Sequence, residues 1–180
     1  MKKGFTLLEL MVTVSIMVII LSIMVFNFSK TDNKTVLAQI AYGVALNIRQ
    51  AQVNSISVKS VGGVFENGYG VHFAVGDKYV NFYVDKNGTI KETGLDNGSS
   101  IEEIKIPNGY QISDICDGES CSISSADVTF WRPDPSARLT SPDGNTLYGG
   151  PLKIELSSDN GSISKHVKIY RSGQISISQD

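Results

Sequence analysis

From Leu10 to Ser29 the chain carries no charged residue, and beyond Val36 its apolar positions recur at steps of three and four. That change of pattern predicts the two halves of one long helix. At about 1.5 Å per residue the uncharged run reaches roughly 30 Å, the thickness of a bilayer's hydrocarbon core, so residues 5–29 form a candidate membrane span. In the second half, residues 30–61, Val36, Leu37, Ile40, Ala41, Val44, Ala45, Ile48 and Ala51 make a stripe suited to packing on a sheet. Lys34, Gln39, Asn47, Arg49 and Gln50 lie mostly off that stripe, and the tract from Ser55 to Gly63 ends the helix.

From Gly68 the period drops towards two. Gly68–Val75 and Lys78–Val84 flank Gly76-Asp77, which reads as a two-residue hairpin turn with glycine first. Leu152, Ile154 and Leu156 alternate with Lys153, Glu155 and Ser157. Asp159-Asn160-Gly161 then leads into a strand over 163–171, and Ser172-Gly173 into another over 174–178. Asn-Gly or Asp-Gly pairs begin at Asn67, Asn87, Asn97, Asn108, Asp117 and Asp143, a turn density that indicates many short antiparallel strands. Between Gly94 and Tyr148, strands are predicted around Ile101–Ile106 and Asp127–Trp131, with a loop at Pro133–Asn145. The fold class is α+β: a long N-terminal helix, part membrane span and part amphipathic, on an antiparallel β-sheet domain of residues 62–180.

Charge follows the same division. Residues 31–180 hold 13 of the 16 basic and 17 of the 18 acidic residues, a net of −4 (13 − 17) that suits an ordinary soluble surface. One acid breaks the pattern. Glu9 stands at the mouth of the apolar run, behind Lys2, Lys3 and Gly4, where an ionisable group is expensive and calls for a partner. A secretory signal peptide has a shorter apolar core and a small-residue cleavage site. A plain anchor fits the length and the positive flank, but explains neither Glu9 nor Gly4 directly before Phe5.

Those residues, Lys3-Gly4-Phe5-Thr6-Leu7-Leu8-Glu9-Leu10-Met11-Val12, resemble the class III signal of type IV prepilins and type II secretion pseudopilins over residues 2–25. The resemblance implies a pilin-like fold and a leader, residues 1–4, that a prepilin peptidase removes after Gly4. It also implies N-methylation of the new first residue, Phe5. Glu9 then lies one helical turn from a new ammonium group. In a bundle of such helices the carboxylate of one subunit meets the ammonium of the next. Breaking a buried pair strands a charge at about 3–5 kcal/mol, so Glu9 reads as an assembly determinant. Snorkelling to the membrane surface and pairing with its own Phe5 amine are its alternatives.

The implied partners are other pilins or pseudopilins through their N-terminal helices, the prepilin peptidase and an inner-membrane assembly platform. The implied location is the inner membrane, crossed once, with the C-terminal domain outside the cytoplasm. The remainder of the chain is similar to minor pseudopilins and minor pilins of the GspH/FimT type. The similarity lies in a second helix ending near Arg49-Gln50-Ala51, a hairpin with Asp85-Lys86-Asn87-Gly88, and the closing Lys168-Ile169-Tyr170-Arg171-Ser172-Gly173-Gln174-Ile175. That branch implies a low-copy subunit near a filament tip.

Cys116 and Cys121, in an exported domain, suggest a structural disulfide. Their spacing is not Cys-x-x-Cys and no basic neighbour lowers a thiol pKa. Asp85-x-Asn87-Gly88 opens like a calcium loop but lacks the third ligand and the closing glutamate, so a hairpin turn is expected there. No metal and no cofactor is expected. His72 and His166 fall in strand alternation outside any nucleophile-elbow or metalloprotease pattern, so no catalytic residue and no enzyme activity is expected either. Lys165, His166, Lys168 and Arg171 crowd into seven residues. The resemblance allows DNA binding through such residues, which makes Lys165, Lys168 and Arg171 the candidate contacts. Alternation divides them between two faces, and Gln174 stands where DNA-binding relatives tend to carry arginine. Three readings follow: a pilus or pseudopilus subunit, which leads; a DNA-binding minor pilin for DNA uptake; and a membrane-tethered β-domain that never polymerises.

Overall fold

The computed structural model describes residues 4–57, 68–85 and 100–178. Helix α1 (Leu7–Ile56) is followed by β1 (Gly68–Ala74), β2 (Tyr79–Asp85), β3 (Ser100–Lys105), β4 (Tyr110–Asp117) and β5 (Ser125–Trp131). Then come β6 (Asp134–Thr140), β7 (Leu152–Ser158), β8 (Ser164–Ile169) and β9 (Ile175–Ser178). The chain divides into two units, residues up to Val36 and residues from Leu37, so the second half of α1 belongs with the strands.

In that second unit the helix buries a narrower face than its periodicity predicts. Leu37, Ala41, Val44, Ile48 and Ala51 are at most 3% exposed, while Val36, Ile40 and Ala45 are half-buried. Each large side chain on this face contributes roughly 1.5–3 kcal/mol by leaving water. The face ends in two buried polar residues, Gln52 and Ser55. Ser55 Oγ donates to the Gln52 carbonyl at 2.7 Å. Gln52 Nε2 donates to the carbonyls of Pro135 (2.8 Å) and Gly173 (3.3 Å), tying the helix to the start of β6 and the β8–β9 turn. Gly173 has φ +81°, and a Cβ there would collide with the Pro135 carbonyl and with Gln52 Nε2, so only glycine serves.

The strands form two antiparallel sheets, β3-β2-β1-β5-β6 and β4-β7-β8-β9. In the first, Tyr69, Val71 and Phe73 alternate into the core with Val80, Phe82 and Val84 of β2 and Ala126, Val128 and Phe130 of β5. In the second, Ile115, Ile154, Val167 and Ile177 share one cross-strand row, and Leu152, Ile169 and Ile175 the next. The Gly76 N–H donates to the Ile112 carbonyl at 2.8 Å, joining the β1–β2 turn to β4.

Two expectations need correction, and one strand was not predicted. The loop predicted over Pro133–Asn145 contains β6, paired with β5 through Asp127↔Thr140, Val128↔Leu139 and Thr129↔Arg138. Its prolines mislead because an edge strand tolerates a missing N–H, while Ala137 and Leu139 still alternate inward. Strand β4 escapes the pattern altogether, since a register shift between Ile112 and Asp114 interrupts its period of two. The β1–β2 hairpin pairs from Gly68↔Asp85 to His72↔Asn81, but its turn is Ala74–Asp77, closed by the Asp77 N–H on the Ala74 carbonyl at 3.2 Å. Gly76 (φ +82°) takes the third position of that turn, not the first of a two-residue loop. Residues 86–88 of the turn predicted at Asp85-Lys86-Asn87-Gly88, and residues 58–63 of the tract from Ser55 to Gly63, lie outside the described residues.

Candidate functional site

Gly4, Phe5 and Thr6 precede α1 and are exposed; Met1–Lys3 lie outside the described residues. Nothing approaches within 4 Å of where a Gly4 side chain would begin, and Phe5 is 75% exposed, so the Gly4–Phe5 bond is open and non-helical. Thr6 sets the helix start. Its Oγ1 accepts the Glu9 N–H at 3.3 Å and its carbonyl accepts the Leu10 N–H at 3.2 Å. Thr6-x-x-Glu9 has the capping-box spacing, a signal present in the sequence but missed in reading it. Glu9 therefore has a local use as well. An acid in the first turn faces the positive end of the helix dipole, worth roughly 0.3–1 kcal/mol.

Leu7–Val25 forms 19 residues of mean hydropathy 2.6, none of it buried. Its hydroxyl side chains are satisfied within the helix. Thr13 Oγ1 donates to the Leu10 carbonyl at 2.9 Å, and Ser15 and Ser22 donate to those of Met11 and Val18 at 2.8 Å each. Such a surface suits lipid or other apolar helices on all sides. Within it Glu9 is the one ionisable side chain.

The basic residues near the C-terminus are placed apart. Lys165 lies opposite Leu156 on β7, and Lys168 lies opposite Lys153. Arg171 falls beyond the strand, in the β8–β9 turn. It donates to the Leu147 carbonyl at 2.5 Å, and its guanidinium lies 4.1 Å from the centre of the Tyr148 ring, an engaged position. His166 is buried, with Nδ1 3.7 Å from Glu155 Oε2. Cys116 and Cys121 are joined by a disulfide. Asp114 and the two sulfurs could face one metal ion, but sulfurs in a disulfide are not thiolate ligands.

The sequence reading also missed a polar cluster on the first sheet. His72, Asp127 and Tyr83 converge beside Gly70, which lies opposite both Tyr83 and Thr129. His72 Nδ1 is 3.0 Å from Asp127 Oδ1, and the Tyr83 hydroxyl donates to the same carboxylate. Burial and the charge of Asp127 push the Tyr83 pKa well above 10, keeping it a donor. Burial works against a charged His72. The hydrogen bond and charge of Asp127, helped by Asp77, outweigh it and raise the His72 pKa. The cluster crosslinks β1, β2 and β5.

A family model described as the prokaryotic N-terminal methylation motif matches residues 1–25. The match supports a type IV pilin-like or pseudopilin precursor, processed by a prepilin peptidase and assembling with other pilins. No curated protein and no solved structure matches the chain.

Proposed function

We propose that a chain opening on a prepilin-type methylation motif, and carrying this β-domain, is a minor pilin or pseudopilin. It enters a type IV pilus or type II secretion pseudopilus through residues 5–29 and sits near the tip. Gly4–Phe5 is the processing bond, Phe5 the methylated residue and Glu9 the assembly determinant. One observation carries the reading: an apolar helix, unburied on every side and with its hydroxyls satisfied internally, has a single acid in its first turn. Lys2 and Lys3 hold the N-terminus on the cytoplasmic side. The domain from Leu37 then lies outside the cytoplasm, where a disulfide persists. The chain acts as a structural subunit and carries out no reaction of its own. A DNA-receptor role is the weaker reading, because Arg171 is already engaged by Leu147 and Tyr148.

Mass spectrometry of the protein purified from its membrane tests the processing, with N-methylated Phe5 as the expected first residue. Retention of Met1–Gly4 overturns the filament reading in favour of a simple tether. Glu9→Gln should still be cleaved, yet fall at least about tenfold in purified filaments, because the Phe5 ammonium is left without its partner. Undiminished incorporation refutes the assigned role.

A further inference from the structure

Two Asn-Gly pairs lie wholly within the described residues, Asn108-Gly109 between β3 and β4 and Asn160-Gly161 between β7 and β8. An asparagine before glycine can react with its own backbone, because a residue without Cβ leaves its N–H free to reach the neighbouring carboxamide. Both pairs are exposed, and nothing lies within 4 Å of where a side chain on Gly109 or Gly161 would begin. Exposure and room therefore do not distinguish them. Hydrogen bonds do.

At Asn160 the groups that the reaction needs are held. Its Oδ1 accepts from Ser158 Oγ at 2.7 Å, from Ser162 Oγ at 2.8 Å and from the Ser162 N–H at 3.1 Å. The Gly161 N–H donates to the Ser158 carbonyl at 2.7 Å, so the attacking nitrogen is occupied as well. At Asn108 the turn is closed by a different group, the Tyr110 N–H on the Pro107 carbonyl at 3.3 Å. Among the described residues neither the Asn108 carboxamide nor the Gly109 N–H has a hydrogen-bond partner.

We propose that Asn108 is a site of spontaneous deamidation, from which Asn160 is protected by its turn. The Gly109 nitrogen attacks Asn108 Cγ and forms a new N–Cγ bond. The Cγ–Nδ2 bond breaks, and ammonia leaves carrying the Gly109 proton. Water then opens the succinimide, at Cγ to give aspartate or at the backbone carbonyl to give isoaspartate. Nothing is oxidised or reduced, and solvent water is the sole co-reactant. The product matters because of where this turn sits. The Gly109 carbonyl accepts the Asp159 N–H at 2.9 Å, and Asp159 Oδ2 lies 3.9 Å from Lys78 Nζ. A carboxylate at position 108 adds a like charge beside Asp159, and an isoaspartate lengthens the backbone that carries the tie. Conversion loosens the join between the β3–β4 and β7–β8 turns, and it leaves an irreversible mark of the age of the chain.

The test is peptide mapping by mass spectrometry of the full chain, aged in neutral detergent micelles at mildly alkaline pH. Cleavage after lysine places Asn108 and Asn160 on separate peptides, beginning at Ile106 and Ile154. In the folded chain Asn108 should convert at least about tenfold faster than Asn160, the factor that one or two hydrogen bonds represent. Chain aged in urea should convert both at similar rates, since each pair then meets only its own sequence. Ser158→Ala combined with Ser162→Ala should speed Asn160 in the folded chain and leave Asn108 unchanged. Chain converted at Asn108, separated by its added charge, should unfold at a lower denaturant midpoint than fresh chain. Equal rates in the folded chain overturn the proposal, and so does a contrast that persists in urea. An Asn160 rate untouched by the double substitution overturns the protection assigned to its turn, and an unchanged midpoint overturns the loosened join.

Discussion

Replacing Gly70 with alanine tests how tightly the polar side of the first sheet is interlocked. The added Cβ would lie 2.5 Å from Tyr83 Cζ, 2.7 Å from the Tyr83 hydroxyl and 2.7 Å from Thr129 Cγ2. Neither neighbour yields easily. Thr129 is fully buried, and moving the Tyr83 ring stretches its hydrogen bond to Asp127. Overpacking costs roughly 1–3 kcal/mol, and a damaged hydrogen bond to a charged acceptor adds roughly 1.5–3 kcal/mol. Removing a glycine from the unfolded chain offsets roughly 0.4–1 kcal/mol. The net expectation is a destabilisation of about 2–5 kcal/mol. Denaturant unfolding of the full chain in micelles measures it through Trp131, the single tryptophan, whose indole lies over Gly68. In a Tyr83→Ala background the obstructing ring is gone while Thr129 Cγ2 remains, and the same Gly70 change should cost less than in the unaltered chain by about 1 kcal/mol or more. An equal cost in both backgrounds would refute the claim that the ring excludes a side chain at Gly70.

Two further perturbations address the helix dock and the half-buried His72. Gln52→Ala leaves the carbonyls of Pro135 and Gly173 without their shared donor, and should lower unfolding stability by about 1–3 kcal/mol in the same assay; a change within error refutes its role as a tie. The folded pKa of His72 is raised above the ordinary value of about 6.5, so its contribution is fully present below that pH and is lost as pH rises through the folded value. The unfolding midpoint should therefore fall as pH climbs through this range, and His72→Gln should flatten the decline. A slope unchanged by the substitution overturns the assignment.

What could be read in the sequence was whatever repeats locally. The uncharged run, the stripe from Leu37 to Ala51 and the alternation of Leu152, Ile154 and Leu156 each declare an element without reference to anything distant. Strands β4 and β6 were hidden by a register shift and by edge prolines, both of which break the period of two. The Thr6–Glu9 capping spacing was visible and overlooked. The remaining features depend on register between strands far apart in sequence. His72 meets Asp127, and Lys153 meets Lys168, only because β1 pairs with β5 and β7 with β8 in one alignment. A shift of one residue would send those side chains to opposite faces.

Gln52 is made early, but its acceptors arrive late, 83 and 121 residues further along the chain. During synthesis the helix is in place long before the carbonyls that latch it. Docking of that helix end thus waits on at least 121 further residues of chain. A chain cut short before Gly173 would keep every hydrophobic position of the helix and still leave its latch half open.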